Sequence, residues 1–416
     1  MAFVPTEVNT STAATPGRSY RIPLALVTTL FFLWGLANIL NSALIAQFQP
    51  LFEISRAQAL LVESAFYFGY FTIAIPAAIF MEKYSYKKGI LFGLILYAIG
   101  ALMFIPAAKF LTFGFFLFAL YIIASGLAFL ETAANPYVTM LGKPETSVQR
   151  LNFSQMFNGL ALIAGPILAG QFIFAGNEGS LETQAAKEQA ANAVIFPYML
   201  IAIGVLLIAF LVGIAKMPEF QSGAKLKFDK RIFAHSHLIW STIAQFFYVG
   251  AQASIWGITI NYIIDVLPGT SKEIASTNYM PIGTTLFVVG RMVGTMMMSW
   301  IKDYKLLRLF AVVATALCIV AMSAGGMIAV GAVLAVNFFM SIMFPTIFAL
   351  GVKDLGHHMK LGSSFIIMAI AGGAVFPPMM GIISDTIGVQ MSFIIPTTCF
   401  IVVFIYSMTG YKGKYY

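Results

Sequence analysis

Long apolar runs, each about the length of a bilayer crossing, alternate along this chain with short polar breaks. A membrane-spanning helix needs about 20 mostly apolar residues. Runs of that kind fall at 22–49, 58–81, 89–108, 111–140, 150–175 and 193–216, and again at 236–265, 275–301, 306–325, 328–352, 361–384 and 390–410. Hydrocarbon offers no partner to a bare N–H or C=O, so each run is expected to close its backbone bonds as a helix. The pattern predicts an all-α membrane protein with twelve transmembrane helices.

The polar stretch from Met217 to Arg231 parts six runs from six, the organisation of a transporter built of two similar halves. The expected division is a disordered cytoplasmic tail over 1–20, a six-helix bundle over 21–216, a cytoplasmic linker over 217–233 and a second six-helix bundle over 234–416. A second polar insert, from Gly176 to Ala190, is acidic on balance and is expected to face outward.

Composition sharpens this picture. The 416 residues are 60% hydrophobic and 10% charged, with mean hydropathy +0.88. Soluble domains carry about 25% charged residues, so lipid is the solvent for most of this chain. The net charge of +8 does not point to nucleic acid, because the basic residues sit in short loops between the runs. Their bias sets orientation instead. On the side of the N-terminus lie 19 of the 24 Lys and Arg, against four on the other side (Arg56, Lys109, Lys187, Lys272), with Arg291 inside a run. Both termini are therefore expected in the cytoplasm of a multi-pass protein of the bacterial inner membrane. Met1 to Gly17 has no apolar core, which argues against a signal peptide.

Cys318 and Cys399 both fall inside apolar runs, and only four His occur, two of them adjacent at His357 and His358. Neither a disulfide, a metal site nor a cofactor is expected. A nucleophile set beside a base is also missing, so the chain is not expected to be an enzyme.

Ionisable residues at membrane depth are costly, by about 2.5–3.5 kcal/mol, and are functional candidates for that reason. Glu131 lies in the fourth run, in Leu130-Glu-Thr-Ala-Ala-Asn-Pro136, with Asn135 one turn on along the same face. A carboxyl whose surroundings change between conformations can bind and release a proton; the plainer reading is a hydrogen-bonded helix contact. Arg291 in the eighth run either snorkels to the interface or meets a carboxyl or sugar hydroxyl. Glu63 in the second run either reaches outer water or forms a second cation site.

Polar stripes complete the candidates. Asn38, Asn41 and Ser42 share a face of the first run, and Gln155 and Asn158 a face of the fifth. Gln245, Tyr248, Gln252 and Trp256 follow helical spacing in the seventh, and Asn337 lies in the tenth. Any one stripe reads as interhelical hydrogen bonding, worth about 0.6 kcal/mol per contact. Together they read as a central polar cavity. Amides donate and accept, an aromatic face covers one side of a pyranose ring, and no inward cluster of cations awaits an anion. A small neutral sugar is the expected partner.

Several stretches resemble the L-fucose:proton symporter group of the major facilitator superfamily. They include Phe31-Phe-Leu-Trp-Gly35, Leu130-Glu-Thr-Ala-Ala-Asn-Pro136, Tyr248-Val-Gly-Ala-Gln252, Pro345-Thr-Ile-Phe348 and Gly362-Ser-Ser-Phe365. The resemblance runs through nearly the whole chain. In the loop after the second run, Glu82 and Lys83 resemble the Asp and Arg of the superfamily's cytoplasmic signature, a structural or gating element. The resemblance implies the major facilitator fold, alternating access and cation-coupled uptake of a hexose, deoxyhexose or amino sugar by a monomer. It also implies that Glu131 matches the span 4 carboxylate and Gln155 and Asn158 the span 5 polar pair.

The chain departs from the group pattern where Ser42 replaces an Asp, Ile39 an Asn, Phe344 a Tyr, and Glu63 a Gln. A different, less polar sugar site follows, with Glu131 as the leading coupling residue for H⁺ and Glu63 as its partner. Na⁺ is the alternative ion, with hard oxygen ligands from Asn41, Ser42 and a carboxylate. A proton-coupled antiporter is the further alternative, on a partial signature at Gly165-Pro-Ile-Leu-Ala-Gly170.

Overall fold

The computed structural model describes residues 21–141, 147–174, 183–218, 230–353, 355 and 359–411. The expected tail over 1–20 and most of the linker over 217–233 lie outside the described residues, as do the side chains of Glu82 and Asn135.

Twelve helices are long and apolar enough to cross a membrane, and no strand occurs among the described residues. They are α1 (Ile22–Leu51), α2 (Arg56–Met81), α3 (Tyr86–Phe110), α4 (Phe113–Ala134), α5 (Phe153–Phe174) and α6 (Gln184–Ile214). After the linker come α7 (Ser236–Val266), α8 (Lys272–Met297), α9 (Asp303–Ser323), α10 (Gly326–Val352), α11 (Phe365–Ile387) and α12 (Met391–Gly410).

Local chemistry explains their ends. Ser55 accepts from Gln58 N at 3.2 Å while the Gln58 side chain accepts from Ser55 N at 3.0 Å, a reciprocal cap that starts α2. Lys87 donates to the carbonyls of Gly213 and Ala215, both at 2.9 Å, where α6 stops. A cation on terminal carbonyls is the favourable arrangement there. The sixth helix starts nine residues earlier than its apolar run. Gln184–Ala193 is alanine-rich, strong helix-forming sequence, and Thr183 accepts from Ala186 N at 3.2 Å to cap it. Much of the acidic insert is thus the first turns of α6.

The helices of α1–α6 contact chiefly one another, α1 on α5, α2 on α4, and α3 on α4 and α6. Those of α7–α12 do the same, with α7 against α10, α11 and α12. Between the two groups α1 packs on α7, α2 on α11 and α5 on α8, and α2 also touches α7 where Leu60 and Glu63 meet Gly257. Tyrosines tie helices within a group: Tyr97 donates to Leu33 O at 3.0 Å and Tyr262 to Ala321 O at 2.6 Å. Such bonds satisfy a hydroxyl that lipid cannot. Ile203, Leu207 and Phe210 of α6 are over half exposed, the lipid-facing stripe of an outer helix. By contrast α7 is the most enclosed of the twelve. In α11 the ladder tightens to a 3₁₀ turn at Ala369–Ala371, just before Gly372-Gly373, with Pro377 and Pro378 one turn further on.

Candidate functional site

Asn38 and Asn41 of α1 face α2. Asn41 Nδ2 donates to Glu63 Oε2 at 3.3 Å, and Asn38 Nδ2 donates to Tyr67 Oη at 3.4 Å. Glu63 and Tyr67 are one turn apart and almost wholly enclosed, 3% and 6% exposed. Ser42 turns its hydroxyl to its own helix, donating to Ile39 O at 2.8 Å. The Asn41 carbonyl oxygen is buried without a partner. Glu131 on α4 is half-buried.

The fifth-helix pair divides in role. Asn158 donates to Phe31 O at 3.2 Å and so fastens α5 to α1, while Gln155 is half-buried. On the opposite wall, Trp256 Nε1 donates to Asn337 Oδ1 at 2.8 Å. Asn337 in turn donates to Val333 O and Leu334 O, both at 3.2 Å. The Trp256 ring meets Phe287 edge-on at 5.3 Å, so the indole is fixed on both sides. Tyr248 donates to Met340 O at 2.9 Å. Gln245 is fully buried with both amide atoms unpartnered, and Gln252 is half-buried.

Arg291 does not snorkel. Its Nε donates to Ser341 O at 3.2 Å, and the guanidinium lies 4.7 Å from the Phe287 ring centre, facing the interior. Lys83 is exposed, with its ammonium 5.4 Å from the Tyr84 ring centre. Glu82 and Asn135 lie outside the described side chains.

Two features escaped the sequence reading. Tyr67 was hidden in an apolar run, although its position four residues after Glu63 places it on the same face. The second is a set of ties between the helix groups at the end of the molecule that holds Arg56. Arg56 Nη2 pairs with Asp265, Nη1 donates to Ser384 Oγ at 2.9 Å, and the backbone N–H groups of Arg56 and Ala57 both donate to the Asp385 carboxylate at 2.9 Å. Asn261 donates to Gln49 at 2.9 Å, and Ser276 to Pro166 O at 2.6 Å. A cavity of about 320 Å³ opens at this end beside Glu53, Asp265 and Lys272. Between α1 and α2, outside the spans, Glu53 accepts a hydrogen bond from Lys187 at 2.5 Å that holds its carboxyl below the usual carboxylate range.

The family model of the Major Facilitator Superfamily matches residues 25–374. The L-fucose-proton symporter of Escherichia coli (strain K12) is 42% identical over 410 residues, 94% of this chain and 93% of that protein. A glucose/galactose transporter of Brucella abortus is 36% identical over 413 residues, 99% of each. Among solved structures, the transporter FucP in the outward conformation matches at TM-score 0.70 and 41% identity, covering 94% of this chain and 99% of that one. The inward-open xylose transporter XylE from E. coli matches at TM-score 0.72 and 10% identity over 95% and 97%, a likeness of fold.

Proposed function

The chain belongs to the Major Facilitator Superfamily, and from that premise we propose that its polar interior is the route of a proton-coupled sugar symporter. It is a multi-pass protein of the inner membrane and a secondary transporter, not an enzyme. It carries a neutral monosaccharide together with H⁺. The E. coli relative, named for its coupling ion, is a proton symporter.

The observation that supports this reading best is the two-sided polar layer inside an apolar bundle. One wall carries carboxylates and amides, and the other carries amides with a braced indole. In our reading Glu131 is the proton carrier and Glu63 its partner, while Gln155, Gln245, Gln252 and Trp256 meet the sugar. Gln245 and Gln252 have amide groups to offer a hydroxyl, and Trp256 offers a face to the ring. Asn38, Asn41, Asn158, Asn337 and Tyr248 are held by protein partners and act by positioning. Asn135 is assigned to the sugar with Glu131 by its place one turn further along the sequence, and Glu82 and Lys83 to the gating loop. Arg291, facing Ser341 O, is assigned to gating between α8 and α10. The two bundles, 21–216 and 234–416, rock about this layer, with both termini and the linker in the cytoplasm and the Arg56 end facing outward.

Uptake by proteoliposomes tests the reading. Labelled glucose, galactose, fucose and N-acetylglucosamine are offered under an inward pH gradient and, separately, an inward Na⁺ gradient. Concentrative uptake of one sugar under the pH gradient alone is expected. Glu131→Gln is expected to abolish it while counterflow exchange survives. No uptake of any sugar would remove the substrate class, and uptake driven by Na⁺ would remove the ion.

A further inference from the structure

Leu60, Glu63 and Tyr67 follow one another at helical spacing and form the face of α2 that meets the second helix group. Gly257 of α7 lies against this face. A Cβ there would sit 2.8 Å from Leu60 Cδ2, 3.2 Å from Ile45 Cδ1 and 3.5 Å from Glu63 Cγ. One turn on, the Tyr67 ring covers Gly373 of α11 so closely that a Cβ has no room. Ser64 donates across the same seam to Ala374 O at 2.6 Å. Glu63 is therefore sealed by a surface that must leave it when the Arg56 end opens.

The sealed carboxyl has little to hold a charge. It accepts one hydrogen bond, from Asn41, and forms no ion pair among the described residues. α1 carries no ionisable side chain within Ile22–Leu51. The helices packed on α2 bring Glu131 from α4, Tyr97 from α3, Tyr248 and Asp265 from α7 and Asp385 from α11, and α2 itself adds Arg56, Tyr67 and Tyr70. Arg56 is committed to Asp265 and Ser384. Lys83 and Lys87 lie at the other end of α2 and the start of α3, the latter on Gly213 O. A carboxylate closed into such a seam loses its water and gains no cation, which is strongly unfavourable, whereas a protonated carboxyl is only a buried polar group.

We propose that Glu63 gates closure of the Arg56 end, which shuts when Glu63 carries a proton and opens when it does not. The proposal rests on the proton-symport reading and deepens it. Proton loading and closure become one event, so a closed end without its proton is disfavoured and leak of sugar without H⁺ is suppressed.

The test reads closure without any sugar, so it stands apart from the substrate assignment. Leu60, fully buried in the seam, becomes a reporter as Leu60→Cys, with Cys318→Ala and Cys399→Ala removing background. Maleimide labelling of the detergent-solubilised full chain is measured from acid to alkaline pH and normalised to unfolded protein, which removes the thiol's own titration. With Glu63 intact, normalised labelling is expected to rise about tenfold toward alkaline pH. Adding Glu63→Gln should hold it low and flat, and Glu63→Asp should keep the rise. Monodisperse elution of each variant shows that it is folded. A flat profile with Glu63 intact, or an unchanged rise in Glu63→Gln, would overturn the proposal. So would a rise lost in Glu131→Gln but kept in Glu63→Gln, which would assign the gate to Glu131.

Discussion

Two buried pairs at similar depth, Asn41–Glu63 and Trp256–Asn337, use the same amide for opposite ends. In the second, every donor has a near partner: the indole at 2.8 Å and the amide on two carbonyls at 3.2 Å. The pair carries no ionisable group and is braced by Phe287. In the first, the amide donates over 3.3 Å to the Glu63 carboxyl and leaves its own oxygen unpartnered. A fully satisfied network rigidifies its surroundings, and a partly satisfied one leaves a buried polar atom unpaired at a cost. On the function proposed above, the braced pair of α7 and α10 belongs to recognition and the pair of α1 and α2 to coupling.

One substitution tests that division, and two more probe the end of the molecule beside it. The largest effect is expected from Trp256→Ala, which removes the platform and leaves Asn337 Oδ1 without its donor. It should raise KM for the sugar about tenfold with the proton-to-sugar ratio unchanged. A lower ratio at unchanged KM would erase the distinction between the walls. Arg56→Ala comes next. Its partners are partly exposed, so the loss is modest, near a threefold rise in normalised Leu60→Cys labelling at every pH. The pH of half-rise should not move, because Arg56 sets how firmly the end is shut and Glu63 sets when. A displaced half-rise would mean that Arg56 and Glu63 titrate as one system.

The smallest effect belongs to Glu53→Gln, outside both walls. Lys187 holds the folded carboxyl low, so its contribution is present above the unfolded carboxylate value and is lost as pH falls through the lowered folded value. The melting temperatures of wild type and Glu53→Gln should differ slightly at neutral pH, converge on acidification, and converge in salt. A gap that persists in acid would show that the side chain acts through packing instead.

The helices were legible in the sequence because lipid imposes a single demand on every residue of a span. The start of α6 was not, because Gln184–Ala193 is helical by propensity and polar by composition, and a search for apolar runs sees only the second property. Glu63 and Glu131 announced themselves as charges in apolar surroundings. Tyr67 did not, since a tyrosine in a membrane run is ordinary until its hydroxyl meets Asn38. Nor could a stripe of amides say which ones are occupied. Asn158 and Gln155 look alike on the helix face, yet one is already bonded to the Phe31 carbonyl. The Arg56 ties join positions more than 200 residues apart, a relation fixed by packing and invisible to local pattern.

A helix as enclosed as α7 enters the bilayer at a disadvantage during synthesis. Together with α8 it is the least apolar of the spans, and α6, made just before it, is the most apolar. Hydrophobicity governs how readily a lone segment partitions from the translocon, so α7 gains least from lipid. Its neighbours α10, α11 and α12 do not yet exist when it emerges, and α1 and α2 supply the contacts already in place. For α7, then, burial against protein stands where contact with lipid stands for α6, and the first helices of the chain already present part of that protein surface.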